Sequence, residues 1–438
     1  MERAALLELS HLRNTASGDL ASLAEGDSLF AAAAAEKLGR LQAELQPLAE
    51  HYDVVVANPP YMGAKNMNKW LSDWVKENYP DVKSDLFSSF IVRNLNMGAD
   101  CAQLGFMTPY VWMFIGSYEK LRKKIIASHT ITSLIQLEYS GFAGATVPIC
   151  TFTLQKNHMP SFEGTYIRLS DFPGADQQAP RVLEALADSE CKWLYRCSAN
   201  NFYAIPGSPI AYWASAGVVK AFKNGTPLAE LAKPKQGIAT GDNDRFIRNW
   251  WEIGRSSMFT SASNRHEAQD SKARWFPCNK GGGFRRWYGN NLLVIDWFND
   301  GEGIQNNYDE NGRQKSRPQN LDYQFLEGMT WGTISSSILS MRYSPRGFMF
   351  ETKGAVCVAD SKEWLRYYLA LMNSELVNQM QTILSPTLDF HEGPIGKTPV
   401  IQDDSLRIND LCDTNIELTR SDWDAFEASW DFMKHPLI

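Results

Sequence analysis

Several features that would place this chain quickly are missing from it. No apolar run approaches the ~20 residues a membrane-spanning helix requires, so no membrane partner is expected. The opening Met1-Glu2-Arg3-Ala4-Ala5 lacks the apolar segment of a secretory signal. The seven cysteines are scattered and form no C-x-x-C, which argues against a disulfide framework and for a reducing, cytoplasmic setting. The seven histidines are dispersed too, so no metal site is expected, and His391 in Asp389-Phe-His-Glu392 reads as structural. No P-D…(D/E)-x-K nuclease pattern stands out. There is no internal repeat, and no low-complexity tract beyond Ala31–Ala35. Excess basic charge is also lacking: 43 Lys and Arg against 50 Asp and Glu leave a net charge of −7. That balance does not exclude nucleic acid, because DNA meets a local patch and not a whole-chain sum.

What is present begins with Asn58-Pro59-Pro60-Tyr61, at the end of the apolar run Asp53-Val54-Val55-Val56-Ala57. A β-branched run of that kind reads as a buried strand, and it delivers Asn58 to the rim of a sheet. The two prolines fix φ near −65° and carry no N–H, which leaves their carbonyls free to accept. Tyr61 adds a flat ring. A primary amine on an extruded base finds two acceptors here, the Asn58 side-chain oxygen and the Pro59 carbonyl, and a ring to stack on. In isolation Asn-Pro is a common turn starter; the strand ending directly in it is what points to chemistry.

At 438 residues the chain has room for two or three domains. Residues 1–50 read as a helical segment, with Leu38, Leu41, Leu45 and Leu48 at helical period and a break at Thr15–Asp19. Residues 51–160 alternate strand and helix. The strand 53–57 is followed by Trp70 and Trp74 at helical spacing, read as packing residues, and by a helix 85–95 capped by Ser84. Then come a strand 104–108, a helix 118–128, and the strands 131–138 and 148–155 joined by Phe142-Ala-Gly-Ala-Thr146. This alternation predicts half of a doubly wound sheet with an antiparallel edge. Residues 161–211 read as a proline-punctuated connector. Residues 212–400 read as a second, α+β domain of aromatic-rich strands, closed by one amphipathic helix over 363–381 on which Tyr367, Leu371, Leu376 and Met380 share a face. Residues 401–438 read as an acidic tail with a short helix at 421–433.

Between Ser271 and Tyr288 five basic residues occur without an acid: Lys272, Arg274, Lys280, Arg285 and Arg286. Trp275, Phe276, Phe284, Trp287 and Tyr288 are interleaved with them. Lys272, Lys280, Arg285 and Arg286 are therefore candidate contacts to phosphates or base edges, and Gly281–Gly283 would permit close backbone approach to a duplex.

Taken in order, these motifs resemble the adenine-specific DNA methyltransferases that carry catalytic and target-recognition domains on one polypeptide. The block Lys280-Gly-Gly-Gly-Phe-Arg-Arg-Trp-Tyr-Gly289 with Val294-Ile-Asp-Trp297 resembles, more narrowly, the PglX-like enzymes of BREX phage-defence systems. Gly237–Phe246 resembles the opening of a target-recognition domain, and Leu371–Leu376 its closing helix. The resemblance implies Asn58, Pro59, Pro60 and Tyr61 as the catalytic motif acting on adenine N6. It implies Asp85 and Phe87 near the adenine of the methyl donor, S-adenosylmethionine, and Leu104–Pro109 as the strand after them. It implies Phe142 as an aromatic facing the extruded base opposite Tyr61. The implied partners are double-stranded DNA and other phage-defence proteins.

One departure is large. Such enzymes seat S-adenosylmethionine on a Gly-rich turn after the first strand, and three strand–helix units need roughly 90 residues. The stretch before Tyr52 is shorter and reads as helix, with no G-x-G after a strand. The expected fold is thus α/β, a partial Rossmann-like methyltransferase domain followed by an α+β target-recognition domain. The expected function is site-specific adenine-N6 methylation, silent in this chain alone; the alternative is a non-catalytic DNA-binding or assembly module of a defence or restriction-modification complex.

Overall fold

The computed structural model describes residues 36–438 apart from 38, 41–42, 45, 140, 142–146, 336, 387–388, 403–405 and 436. The helical reading of 1–50 therefore lies mostly outside the described residues; of the four leucines only Leu48 is described, and it is exposed. The chain forms two compact units, Met1–Trp213 and Ala214–Ile438.

In the first unit, β1 (Tyr52–Ala57), β2 (Gly98–Pro109), β3 (Thr130–Gln136), β4 (Ile149–Gln155), β5 (Glu163–Arg168) and β6 (Leu194–Ser198) make one sheet in the order β1-β2-β4-β3-β5-β6. β1 and β2 are parallel, as are β3 and β5; β4 runs antiparallel to both neighbours, and β6 to β5. The antiparallel pair is present, but β4 is inserted between β2 and β3 and does not form an edge. Residues 161–211, read as a connector, instead supply β5, β6 and a helix to the same sheet: Tyr166 and Ile167 of β5 are buried. The prolines taken as punctuation lie mostly in turns, while Pro180 sits inside that helix.

Helices described in this unit after β1 include α1 (Lys69–Asn78), α2 (Leu86–Met97), α3 (Glu119–Ser128) and α4 (Ala175–Ala187). Asn68 caps α1 by accepting from the Leu71 amide, and the cap of α2 is Asp85, one residue later than the sequence suggested. Phe87, Ile91 and Leu95 of α2 pack with Leu104 and Phe106 of β2. Phe106 stacks on Phe152 of β4 with ring centroids 5.1 Å apart. Beneath them Arg122 is fully buried, yet its guanidinium donates to the carbonyls of Trp112, Ile115 and Gly207, so a costly buried charge is satisfied by backbone acceptors.

The second unit contains two four-stranded sheets. One has β9 (Ile247–Asn249), β10 (Trp275–Asn279), β11 (Leu293–Asp296) and β14 (Met349–Phe350) in the order β14-β10-β11-β9; the other has β8 (Ala232–Lys235), β12 (Gly328–Trp331), β13 (Met341–Ser344) and β15 (Val356–Ala359) in the order β13-β12-β15-β8. A small ribbon pairs β7 (Thr226–Pro227) with β16 (Pro399–Val400). All five residues of β10 are buried, so Trp275 and Phe276, two of the aromatics interleaved with the basic residues, are core. The single helix read over 363–381 is two, α5 (Lys362–Met372) and α6 (Glu375–Leu384), because Ser374 caps a new start by accepting from Val377. Leu376 is exposed as a result, outside the shared face. The terminal helix is α7 (Leu406–Trp423), not 421–433, which is largely turn.

Candidate active site

Asn58 follows β1 directly, at the C-terminal end of a parallel strand pair, where open α/β sheets hold their ligands. Asn58 and Pro60 are exposed, Pro59 is buried and Tyr61 is half-buried. The Tyr61 hydroxyl lies 3.2 Å from the Asn58 Oδ1 and 3.2 Å from the Met107 carbonyl of β2. A hydroxyl has one proton, so these two acceptors share it. Burial, with the Cys150 thiol as a smaller contributor, raises the Tyr61 pKa and keeps the hydroxyl a donor. Asn58 Oδ1 retains a second lone pair, and the Pro59 carbonyl accepts no hydrogen bond among the described residues. Two acceptors with spare lone pairs, one on exposed Asn58 and one on buried Pro59, therefore lie at the end of β1 beside an aromatic ring.

The segment that follows is pinned by one carboxylate. Asp85 Oδ1 accepts from the Met62 amide at 3.0 Å and from the Phe87 amide at 3.3 Å. Leu86 N donates back to Met62 O, and Ala64 N to Ser84 O. Burial raises the Asp85 pKa despite these hydrogen bonds. Phe87 is only 1% exposed, and its ring meets Tyr61 edge-on at 6.5 Å. Asp85 and Phe87 thus join Asn58 and Tyr61 in one cluster, and both are engaged with protein groups there. Trp74 leans on Tyr79 with centroids 5.5 Å apart, but Trp70, read as a packing residue, is 73% exposed: α1 buries only Val75, on a narrower face than the spacing implied. Phe142 lies outside the described residues. The role of the Met107 carbonyl was not legible, since a backbone acceptor is chosen by strand register and not by residue type.

The basic segment divides. Arg285 donates to Asp422 Oδ2 at 2.5 Å and to the Tyr288 carbonyl at 2.8 Å, and its guanidinium lies over the Trp423 ring. It docks α7 onto the loop 280–290, so the Arg285 cation, read as a candidate DNA contact, is engaged by groups of its own unit. Arg274 pairs with Asp296. Lys272 is exposed in a left-handed turn (φ 54°) before β10. Lys280 and Arg286 flank the glycines, with Arg286 over the ring of exposed Phe284. Among the described residues none of Lys272, Lys280 and Arg286 forms an ion pair. The contacts join Arg286 to its own loop and do not join Lys272 to it.

S-adenosylmethionine, the donor the resemblance implies, does not find a complete seat among the described residues. No G-x-G turn follows a strand of the first unit. Among the described residues β1 pairs on one side only, and Val54 and Val56 are exposed at 63% and 78%, so the run read as a buried strand stands here as an edge strand. The Asp85 carboxylate is engaged by amides and the Phe87 ring is buried.

Residues 7–142 match the model of the Eco57I restriction-modification methylase family. The chain is 37% identical over 396 residues to the adenine-specific methyltransferase PglX of Lacticaseibacillus casei (strain Zhang), covering 89% of this chain and 33% of that protein. It is 34% identical over 420 residues to the adenine-specific methyltransferase BrxX of Escherichia coli O9:H4 (strain HS), covering 94% of this chain and 33% of that one. The chain thus spans about a third of the length of the curated relatives it matches. Among solved structures, the type IIL restriction-modification enzyme MmeI in complex with DNA superposes with a TM-score of 0.51 at 10% identity, over 86% of this chain and 50% of that one, a likeness of fold. The chain resembles PglX-like adenine-specific methyltransferases, and its mixed α/β fold agrees.

Proposed function

From that likeness as premise, we propose that the chain is the base-holding and DNA-reading part of a site-specific adenine-N6 DNA methyltransferase of a BREX-type phage-defence system. The observation that carries this is the pair of acceptors, Asn58 Oδ1 and the Pro59 carbonyl, beside the fixed ring of Tyr61. An adenine extruded from the duplex stacks on Tyr61 and donates its two N6–H bonds to those acceptors. Both bonds draw the amine lone pair out of conjugation and aim it away from the sheet. The hydrogen bond to Met107 O and the edge contact with Phe87 hold the ring still, so the acceptors are preorganised before the base arrives. Asp85 is a positioning residue: it sets the path of Met62 and Gly63 behind Tyr61. S-adenosylmethionine supplies the methyl group in such enzymes, and its seat is incomplete among the described residues.

Lys272, Lys280 and Arg286, which no described acid pairs, are cations that the second unit offers a DNA backbone. The incomplete donor seat favours a second reading for the chain by itself, a non-catalytic DNA-binding module that assembles with other defence proteins. Calorimetric titration of the chain with duplex DNA, then with S-adenosylmethionine in its presence, separates these. Duplex binding with donor binding supports an enzyme, and duplex binding alone supports the module. A chain that binds no duplex would sink both.

A further inference from the structure

The loop from Lys280 to Asn290 is unusually constrained for a surface segment. Left-handed φ values occur at Gly281 (86°), Gly282 (115°), Trp287 (72°), Gly289 (112°) and Asn290 (60°). For a residue as bulky as Trp287 such a φ is strained, and strain of this kind persists only where the surroundings over-determine it. Here they do. Trp287 N donates to Met341 O and Tyr343 N donates to Trp287 O, which stitches the loop to β13, while Arg285 and Trp423 hold it to α7.

The constraint has a consequence for the tip. Gly281 O accepts from Arg342 Nη2 at 3.1 Å, and Gly283 O accepts from Asn290 Nδ2 at 2.8 Å. Every described peptide bond is trans, so a carbonyl drawn inward turns the N–H of the same peptide outward. The Gly282 amide is therefore turned away from the protein, and the Phe284 amide away from Asn290. With the Gly283 amide they donate no hydrogen bond among the described residues, and Gly282, Gly283 and Phe284 are all exposed.

Behind the tip sits charge without a counter-charge. Arg342 is 2% exposed, its Nε has no partner, and no carboxylate lies within ion-pair distance of it among the described residues. Glu327, just before the strand paired with β13, accepts instead from the Tyr343 hydroxyl and from Arg366. Arg286 Nε is likewise buried and unpartnered. A buried guanidinium with no anion is costly to maintain for folding alone. Outward amides backed by fixed positive charge are the recipe for an anion-binding nest.

We propose that the turn Gly281–Phe284 is a cradle for one backbone phosphate of the bound DNA, gripped by the Gly282, Gly283 and Phe284 amides, flanked by Lys280 and Arg286, with Arg342 as fixed charge behind it. This rests on the DNA-binding reading above and names the atoms that do the gripping. The ligand is a phosphodiester and not a base, so the cradle sets register on the duplex and contributes to affinity without reading sequence.

Gly283 makes the test clean. It has no left-handed φ, and a Cβ added there meets nothing within 4 Å, so the protein itself tolerates a side chain at this position. A bound phosphate would not. Duplex affinity of the chain is measured against potassium chloride concentration for wild type, Gly283→Val and Arg286→Gln, with thermal melts as the check on folding. The expected result is an unchanged melt for Gly283→Val, roughly tenfold weaker binding, and a salt slope reduced by about 0.9, one phosphate's worth. Arg286→Gln is expected to weaken binding about threefold with a smaller change in slope, and it keeps the test alive if the valine variant misfolds. Wild-type affinity and slope in both variants would overturn the cradle while leaving the DNA-binding reading intact. A wild-type chain with no salt-dependent duplex binding would overturn both.

Discussion

The Tyr61 hydroxyl donates toward the Asn58 side-chain oxygen at 3.2 Å while reaching the Met107 carbonyl of β2 at the same distance. The tyrosine is therefore more than a stacking surface. It fixes the rotamer of the acceptor that is to meet the substrate amine, and the sheet fixes the tyrosine. Replacing Tyr61 by Phe keeps the ring and removes only this tether. The expected outcome is methyl transfer lowered about fivefold, the worth of one neutral hydrogen bond, with duplex affinity unchanged. Tyr61→Ala removes the stacking face as well and is expected to cost a further factor of ten or so. Equal rates for wild type and Tyr61→Phe in a single-turnover assay would show the tether to be idle.

Asp85 links the catalytic segment to α2 through two backbone amides. Asp85→Ala leaves both without their acceptor and is expected to destabilise the first unit by about 1–2 kcal/mol, typical of a lost N-cap. Asp85→Asn keeps an acceptor oxygen and is expected to recover most of that. Urea unfolding of the three proteins checks it; an alanine variant as stable as wild type would mean that the segment holds without the carboxylate.

Arg285 separates a structural role from a DNA role. Its hydrogen bonds to Asp422, Tyr288 O and Thr419 O hold α7 against the loop. Arg285→Ala is expected to destabilise the second unit by roughly 1 kcal/mol, since a charged donor to two part-buried carbonyls and one exposed carboxylate is lost, and to leave duplex affinity of the folded protein within twofold. Denaturant unfolding beside a binding isotherm measures both. Weaker binding at full stability would return Arg285 to the interface.

His129 predicts a pH dependence. The ring is buried, its Nε2 has no partner, and burial, then Lys124 and Lys156, depress its pKa from 6.5 to about 4. Because the unfolded chain takes up the proton first, the stability present above pH 6.5 is lost as pH falls toward 4. The loss attributable to this ring reaches roughly 3 kcal/mol. His129→Gln is expected to flatten the pH dependence of unfolding between pH 7 and 4.5 relative to wild type; parallel curves would contradict it.

How much of this was legible depended on whether the partner was close in sequence. The strand carrying Asn58 was readable because a β-branched run met two prolines, and the cap of α2 was readable to within one residue because Ser84 and Asp85 are both capping residue types, of which Asp85 accepts from the Phe87 amide. The position of β4 was not, since period-two patterning tells which face is buried but not which strand lies beside which. Arg285 looked like a free cation because its acceptors on α7 lie far downstream in the chain. Trp275 and Phe276 stand among cations in the sequence yet lie in the core, because a central strand of the second unit has both faces buried, which removes the alternation that would have revealed it. The split between α5 and α6 was signalled by Ser374, a cap residue that the amphipathic pattern masked.

The central claim is that Asn58 holds the amine of an extruded adenine. It is tested most directly by sequencing native genomic DNA, with modified bases detected, from cells expressing the protein whose gene carries this sequence. Wild type and Asn58→Ala are compared at equal expression. The account predicts N6-methyladenine at one recurring sequence in the wild type and none above background in the variant, with purified variant still binding duplex. Methylation of the same sequence persisting in the Asn58→Ala strain would contradict it.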